Sequence, residues 1–264
     1  MTNKTGSARW DALALKLHEA RVRGDLLDLP ARDELPKNIA DSYYVQDRTI
    51  ALSGKEPRAW KLGATIRAAQ LSLGLAEPFT GPVLEGKVFP SPAEVDTHGF
   101  ACHVFEPEVA ITLGRDISGS IDAEQARAAI ASYHPAIEII NFRFREGRSL
   151  DAQGMITDFG ANGALVLGQA APKGTDDYWT LTLDVRVNGE TIASRTPPPP
   201  ETDIGELLGW FSRHAAMRGY ALRKGDIITT GSQAGVLSYR PGDLVEADFG
   251  DAGTARVQFY STAP

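Results

Sequence analysis

The sequence has almost no cysteine: Cys102 is the single cysteine among 264 residues. One thiol excludes an intrachain disulfide and a cluster of thiolate metal ligands. A metal centre in this protein would therefore have to use oxygen or nitrogen ligands.

Long apolar runs are also missing. No uninterrupted hydrophobic segment is long enough for the apolar part of a signal peptide or for a membrane span, which predicts a cytoplasmic protein without a membrane partner. Positive charge is in deficit, with 27 Lys and Arg residues against 34 Asp and Glu residues and a net charge of -7. This balance argues against nucleic acid and anionic membrane surfaces as partners. An anionic substrate would need a local basic pocket.

Regular alternation of strands and helices is absent, as is any internal repeat, which argues against a TIM barrel and a Rossmann fold. Residues 1–80 are predicted to be mainly helical, with helices at 8–23, 39–52 and 66–73 and a strand at 59–65. Residues 81–264 are predicted to be a β-rich domain, with helices at 122–131 and 203–219. Its strands are expected at 83–89, 103–113, 136–142, 163–168, 179–187, 226–231, 243–249 and 255–260. The fold class is therefore α+β.

Carboxylates stand inside two of the apolar runs. Glu106 and Glu108 are two residues apart in HVFEPEVAI, so a strand would point both to one face. Glu138 lies in the middle of AIEII. Buried like charges repel and lose hydration, and a divalent cation removes both penalties. Three carboxylates predict a site for Mg²⁺ or Mn²⁺, since Zn²⁺ prefers nitrogen and sulfur, and such a cation can act as a Lewis acid.

Each carboxylate also has a simpler explanation. Pro107 permits a solvent-facing edge strand, because proline cannot donate to a ladder, and the two flanking glutamates would then be hydrated. Glu138 would equally suit a buried ion pair with Arg143 or Arg145. These explanations stay open at the level of sequence.

Lys61 is a single cation among apolar neighbours, in the segment AWKLG. A lysine in such a setting often buries its stem and keeps its ammonium in water. The functional alternative is a buried cation that faces a substrate carboxylate or an enolate oxygen. A metal site nearby would favour this second interpretation.

Taken together, these motifs resemble the fumarylacetoacetate hydrolase superfamily, specifically its branch of 2-keto-4-pentenoate hydratases and 4-oxalocrotonate decarboxylases. The resemblance covers nearly the whole chain. Its motifs are, in order, WKLG at 60–63, EPE at 106–108, AIEI at 136–139, Asp158 before GALVLG at 163–168, and TGS at 230–232. It implies a mixed β-roll with peripheral helices, and assembly into homo-oligomers.

The resemblance also implies roles for individual residues. The three glutamates match the family's ligands for Mg²⁺ or Mn²⁺, and Lys61 matches a lysine that faces the bound 2-oxo acid. Asp158 matches an acidic residue of the active-site wall and is the candidate for moving a proton. Ser232 falls in the loop that closes over the ligand. Together they predict a site for a small anionic 2-oxo or 2-hydroxy acid.

The chain departs from the family pattern at three places, two of which concern the pocket. Family hydratases typically carry an aspartate where this chain has Phe79, and a polar residue where it has Phe159. Both phenylalanines are expected to shape the substrate pocket. The segment before the second long helix, normally rich in Ala and Gly, holds four prolines at 197–200, which predict a rigid spacer.

The resemblance implies a metal-dependent lyase of aromatic-compound catabolism, a hydratase that acts on a 2-hydroxy-dienoate through a metal-stabilised enolate. A 4-oxalocrotonate-type decarboxylase would share the metal and differ in the distal pocket. An acylpyruvate hydrolase or tautomerase is a further alternative, but it needs a base such as histidine to activate water. His134 precedes Pro135, so a turn at 133–135 is expected to separate it from Glu138. A non-catalytic subunit that binds metal or a small acid is the last alternative.

Overall fold

The computed structural model describes residues 4–171, 181–196 and 203–262. Helices α1 and α2 precede the first strand, α3 follows it, and α4 to α6 lie between later strands. The helices are α1 Lys4–Arg23, α2 Ile39–Ser53, α3 Arg67–Leu73, α4 Ala123–Arg127, α5 Ala152–Thr157 and α6 Ile204–Met217. The end of α2 shows how the sequence sets a boundary: Gly54 adopts φ 63°, a left-handed conformation, and its N–H bonds to the carbonyl of Ala51.

The described strands form two sheets. The strands are β1 Pro57–Gly63, β2 Phe79–Leu84, β3 Val88–Pro90, β4 Ala93–Asp96, β5 Val104–Leu113, β6 Ile130–Ile140, β7 Asn162–Leu167, β8 Leu183–Val187, β9 Glu190–Arg195, β10 Ile227–Ser232, β11 Leu237–Ser238, β12 Leu244–Asp248 and β13 Thr254–Tyr260. The larger sheet has the order β2-β1-β10-β5-β6-β7-β3, with β11 beside β5, and the smaller has the order β4-β13-β12-β8-β9. This mixed architecture confirms the predicted fold class.

The larger sheet curls into a roll, because β2, its first strand, packs against β7 near the other end of the sheet. The approach is closest at Gly81, where an added Cβ would lie 1.9 Å from the carbonyl oxygen of Phe159. Glycine is therefore required at the seam. The inner face of the roll carries mainly small apolar residues below the polar site described next, including Ala59, Ala110 and Ala136.

The main core lies on the outer face of the same sheet. Phe105 and Ile111 of β5 pack in one cluster with Phe211 of α6 and with Val245 and Val257 of the smaller sheet. In β5, alternate residues therefore face the core while the glutamates face into the roll. No helix in the described ranges is both long and apolar enough to pass through a membrane.

Most predicted elements are present, but α5, β4 and β9 were not predicted and other elements differ in their bounds. The run at 83–89 is two strands, β2 and β3, separated by a turn at Gly86. The helix expected at 122–131 ends at Arg127, because the following residues join the ladder of β6. The four prolines at 197–200 lie outside the described residues.

The expected turn at 133–135 is wrong, because β6 runs straight through Pro135. The carbonyl of Pro135 accepts from the N–H of Gly168, so this edge of the residue faces the point where β7 has ended. Proline provides no N–H at this position, and the carbonyl of Gly168 lies 3.0 Å from His134 Nδ1 instead.

Candidate metal centre and active-site cavity

The three glutamates come together inside the roll. β5 and β6 are antiparallel neighbours, and their register places Glu106 opposite Glu138 and Glu108 opposite Ala136. One carboxylate oxygen from each glutamate lies within 4.8 Å of the others. Glu108 and Glu138 are fully buried. The solvent-facing edge strand is therefore excluded, since β5 lies between β10 and β6.

Hydrogen bonds from the surrounding described residues reach only one oxygen of each of two carboxylates, Glu108 and Glu138. The N–H of Gly231 donates to Glu108 Oε2 at 2.7 Å, and Asn162 Nδ2 donates to Glu138 Oε1 at 2.9 Å. The second oxygens, Glu108 Oε1 and Glu138 Oε2, receive no hydrogen bond from the part of the chain that is described. Buried carboxylate oxygens without donors are rare in stable proteins. Their arrangement fits a hard divalent cation, which prefers oxygen ligands.

Electrostatics lead to the same conclusion. Burial raises the pKa of Glu106 to about 7, with Lys61 lowering it and Glu138 raising it further. Burial, with the charges of Glu138 and Glu106, raises the pKa of Glu108 well above its usual range. The ionised cluster is thus unfavourable on its own, and a bound cation would reverse this.

This pKa predicts the pH dependence of metal binding. Because Glu106 must lose its proton to bind a cation, Mg²⁺ affinity should fall as pH is lowered through about 7.

The same pKa predicts how the stability of the metal-free protein depends on pH. A carboxyl group whose pKa is raised in the folded state destabilises the fold when it ionises. The free energy of unfolding should therefore fall as pH rises from 4.5 to about 7. Calorimetric Mg²⁺ titrations between pH 4.5 and about 7 measure the change in affinity, and urea unfolding over the same range measures the change in the free energy of unfolding.

The control for this prediction is Glu106→Gln, which removes the titrating group. The variant should bind Mg²⁺ more weakly and with a flatter pH dependence than the wild type. An affinity for Mg²⁺ that does not change with pH in the wild type would contradict the assignment.

Lys61 reaches the cluster from β1. Its side chain is buried, and Nζ lies 3.5 Å from Glu138 Oε2 and donates to the carbonyl of Gly160 at 3.1 Å. Burial lowers the pKa of this ammonium, but the charges of Glu138, Glu106 and Glu108 outweigh burial and raise the pKa. The ammonium is therefore a fixed positive charge inside the roll, and the expected alternative of a snorkelling lysine is wrong. Glu138 pairs with Lys61 rather than with Arg143 or Arg145.

A cavity of about 480 Å³ opens above this site. Its polar groups include Lys61, Thr65, Glu106, Arg148 and Ser232. Most of the wall is apolar and consists of Leu62, Ala64, Ile66, Ala69, Leu73, Phe79, Val104, Ile140, Phe142, Met155, Ala161 and Val236. A largely apolar cleft with a few convergent polar groups is the usual form of a small-molecule site.

Phe79 and Ser232 lie where the sequence placed them, in the cavity wall. The ring of Phe79 is 5.0 Å from Lys61 Nζ and leaves no room for a side chain at Gly63, whose added Cβ would be 2.3 Å from it. Ser232 pairs with Glu108 across the strands and donates to the carbonyl of Gly235 at 2.9 Å. The apolar face beside the ammonium is thus a structural fact of this chain.

Asp158 and Phe159 lie outside the lining of the cavity above the glutamates. Asp158 is fully buried, accepts from the guanidinium of Arg21 and accepts from the N–H of Arg143 at 2.6 Å. The ring of Phe159 stacks under Arg21, 3.9 Å from its Cζ, and lines a different cavity. Neither side chain lines the cavity above the glutamates. Proton transfer by Asp158 stays a prediction, and its contacts favour a role in fixing the turn at 159–161.

Arg148, Asn162 and Gly231 were missed by sequence reasoning. Gly231 adopts φ 97°, and its N–H faces Glu108, which explains why the TGS motif contains glycine. Asn162 follows the turn at 159–161 and orients Glu138. Arg148 makes no side-chain hydrogen bond or ion pair with the described residues, and nothing in its charged segment at 143–151 singled it out in the sequence.

The chain is similar to known proteins in both sequence and fold. The model of the fumarylacetoacetate hydrolase C-terminal family matches residues 86–260. The chain is 26% identical to a 2-keto-4-pentenoate hydratase from Paraburkholderia xenovorans strain LB400, over 94% of each chain. It is 25% identical to a 4-oxalocrotonate decarboxylase from a Pseudomonas species, over 92% of this chain and 94% of that one. The 4-oxalocrotonate decarboxylase of Pseudomonas putida G7, complexed with magnesium and adipate, superposes with a TM-score of 0.84 at 21% identity, over 98% of both chains.

Proposed function

Because the chain belongs to the fumarylacetoacetate hydrolase C-terminal family, we propose that it is a lyase of the hydratase type that depends on a divalent cation. Its substrate would be a 2-hydroxy-dienoate or 2-oxo acid of the 2-keto-4-pentenoate type, formed in aromatic-compound catabolism. The observation that carries the proposal is the cluster of three buried glutamates next to the ammonium of Lys61. Relatives that cover 94% of the chain are named as hydratases for such acids.

Glu106, Glu108 and Glu138 would hold Mg²⁺ or Mn²⁺, which supplies Lewis-acid chemistry toward the 2-oxo group when bound. The ammonium of Lys61 stabilises negative charge that develops on that oxygen as the substrate ketonises. In a buried site, one such fixed charge contributes about 3 kcal/mol or more to the transition state. Phe79 and the apolar wall orient the carbon chain and limit the entry of water.

Decarboxylation is the second candidate, and the composition of the wall favours it. Among the described lining residues, Glu106 is the one carboxylate and none is histidine, so an evident base for activating water is missing above the metal site. Loss of CO₂ from the same enolate-forming arrangement requires no such base. His134 lies further along β6, where Nδ1 is 3.0 Å from the carbonyl of Gly168. Hydrolysis of an acylpyruvate is therefore disfavoured.

A substrate panel tests the proposal. Purified protein is given 2-hydroxypenta-2,4-dienoate, 2-oxo-hex-3-enedioate and an acylpyruvate, with Mg²⁺ or with a chelator, and the dienol absorbance and CO₂ are followed. We expect Mg²⁺-dependent loss of the dienoate absorbance. Release of CO₂ from the dicarboxylate with the dienoate unchanged would establish the decarboxylase instead. Binding of Mg²⁺ without any turnover would leave only the non-catalytic subunit.

The position of Arg148 predicts that the protein prefers a dicarboxylate substrate to a monocarboxylate. As an exposed cation at the cavity wall, without an ion-pair partner among the described residues, it would bind a second carboxylate at the far end of the substrate, worth about 1 kcal/mol because water screens the charge. Arg148→Gln should therefore raise the KM for a 2-oxo dicarboxylate about fivefold and leave that for the monocarboxylate nearly unchanged.

Arg145→Gln is the matched control, because Arg145 is exposed, pairs with Asp28 at 3.3 Å and does not line the cavity. Equal effects of Arg148→Gln on both substrates would refute the preference. Assembly into homo-oligomers and a cytoplasmic location, implied respectively by the resemblance and by composition, stay predictions.

A further inference from the structure

A second cavity, of about 470 Å³, lies on the other side of the turn at 159–161. It is formed between α1, the end of α2 and the seam where β2 meets β7. The described lining residues are His18, Arg21, Val22, Thr49, Ser53, Lys55, Pro82, Leu84, Glu85, Lys87, Phe159, Asn162 and Gly163. The function proposed above uses none of its basic residues.

The charge of this cavity is opposite to that of the protein. Four basic side chains, His18, Arg21, Lys55 and Lys87, face a single carboxylate, Glu85, among the described lining residues. The whole chain has a net charge of -7. A concentration of positive charge in a concave site on an acidic protein attracts anions.

The cations have few partners among the described residues: Lys55 and Lys87 are exposed, and Arg21 has one carboxylate partner. Arg21 is paired with Asp158, but its Nε is buried and has no hydrogen-bond partner in the described part of the chain. Burial and the positive charges of Arg143, Lys55 and Arg21 lower the pKa of Lys87. Neither Lys55 nor Lys87 forms an ion pair with a described residue. Cations that repel one another around a cavity are stabilised by a bound anion.

We propose that this second cavity binds a small anion with at least two negative charges, either a phosphate group or a dicarboxylate, separately from the metal centre. The guanidinium of Arg21 and the ammonium groups of Lys55 and Lys87 bind the anion. The donor set suits phosphate and carboxylate oxygens equally, since both accept charge-assisted hydrogen bonds.

The bound anion acts on the metal centre through the wall that separates the two cavities. Phe159, Gly160 and Ala161 all have left-handed backbones, with φ of 57°, 64° and 65°. Such a turn persists only when its surroundings hold it. On one side Asp158 is fixed by Arg21, and on the other Gly160 accepts from Lys61. An anion that draws Arg21 away from Asp158 would loosen the turn at 159–161. The carbonyl of Gly160, which accepts a hydrogen bond from Lys61, would then shift.

The experiment is calorimetric titration of the full-length, Mg²⁺-loaded protein with inorganic phosphate and, in a second arm, with succinate, at constant ionic strength. The wild type should bind phosphate, succinate or both in the second cavity, and the arm whose saturable binding depends on Lys55 and Lys87 identifies the chemistry. Lys55→Gln with Lys87→Gln should lower the affinity at least tenfold. The control pair, Lys37→Gln with Lys224→Gln, removes the same charge from exposed positions elsewhere and should bind like the wild type.

Two further measurements separate this site from the metal centre. Glu108→Gln protein should still bind the anion, because the second cavity is intact in it. Turnover of the wild type should change in KM or kcat at saturating anion, and this change should be absent from the Lys55 and Lys87 double variant. Absence of saturable binding, equal binding by the double variant, or loss of binding in Glu108→Gln would overturn the proposal. Binding without any effect on turnover would overturn the coupling.

Discussion

Glu108→Gln protein is expected to lose Mg²⁺ binding and almost all activity while remaining folded. Glutamine keeps the shape of the side chain and an acceptor for the N–H of Gly231, which lies 2.7 Å from Glu108 Oε2. It removes the charge that the cation requires. Since such a metal contributes several kcal/mol to the transition state, kcat/KM should fall by about 10³-fold or more.

The same substitution should not weaken the metal-free fold. Burial raises the pKa of Glu108 well above its usual range, so its ionised form is a cost to the protein without metal. We expect the metal-free variant to melt at the same temperature as the metal-free wild type or higher. Mg²⁺ should raise the melting temperature of the wild type only. Glu94→Gln, at an exposed position of β4, is the matched control. Undiminished Mg²⁺ affinity in Glu108→Gln would end the assignment of the metal centre.

Lys61→Met is expected to lower kcat by about 10²- to 10³-fold without weakening Mg²⁺ binding. Methionine occupies the apolar space of the lysine stem but lacks the ammonium that lies 3.5 Å from Glu138. Removing a positive charge beside three carboxylates makes the site more favourable for a cation. Metal affinity should therefore stay constant or increase while turnover collapses.

Retained Mg²⁺ affinity together with lost turnover would show that Lys61 acts in the reaction rather than only in the structure of the site. Without Mg²⁺ the variant leaves buried carboxylates unpaired and should be destabilised by about 3–5 kcal/mol, a loss that Mg²⁺ should largely restore. Chemical unfolding with and without Mg²⁺ measures this difference. Lys224→Met, at an exposed position, is the control. A parallel loss of Mg²⁺ affinity and turnover would show that Lys61 only holds the site together.

Sequence periodicity together with the family resemblance predicted the cluster of three glutamates, because its contacts follow from neighbouring strands of one ladder. Alternation along β5 puts Glu106 and Glu108 on one face, and pairing of β5 with β6 brings Glu138 to them. The seam of the roll could not be predicted in the same way. It depends on Gly81 meeting the backbone of Phe159, two positions without any shared pattern in the chain.

The surroundings of Asp158 show a second limit. Its motif placed it near the site, but its partner Arg21 is 137 residues away on α1. A neighbour that distant is set by tertiary packing, which a single sequence does not reveal. The environments of Phe159 and Arg148 depend in the same way on how α1 and the segment before α5 fold over the roll.

The parallel pairing of β1 with β10 has a consequence for how the protein is made. Ala59 and Trp60 pair with Ile227 and Ile228, so the strand that carries Lys61 has no partner on that side until β10 has been made. Before then, β5 and β6 can form their hairpin-like pair during synthesis and bring the three acidic groups together without the ammonium. Strand pairing alone therefore links the acidic groups of β5 and β6 to the ammonium of Lys61 only through β10. The order of synthesis puts the strands of the three carboxylates ahead of the strand that joins them to their internal counter-charge.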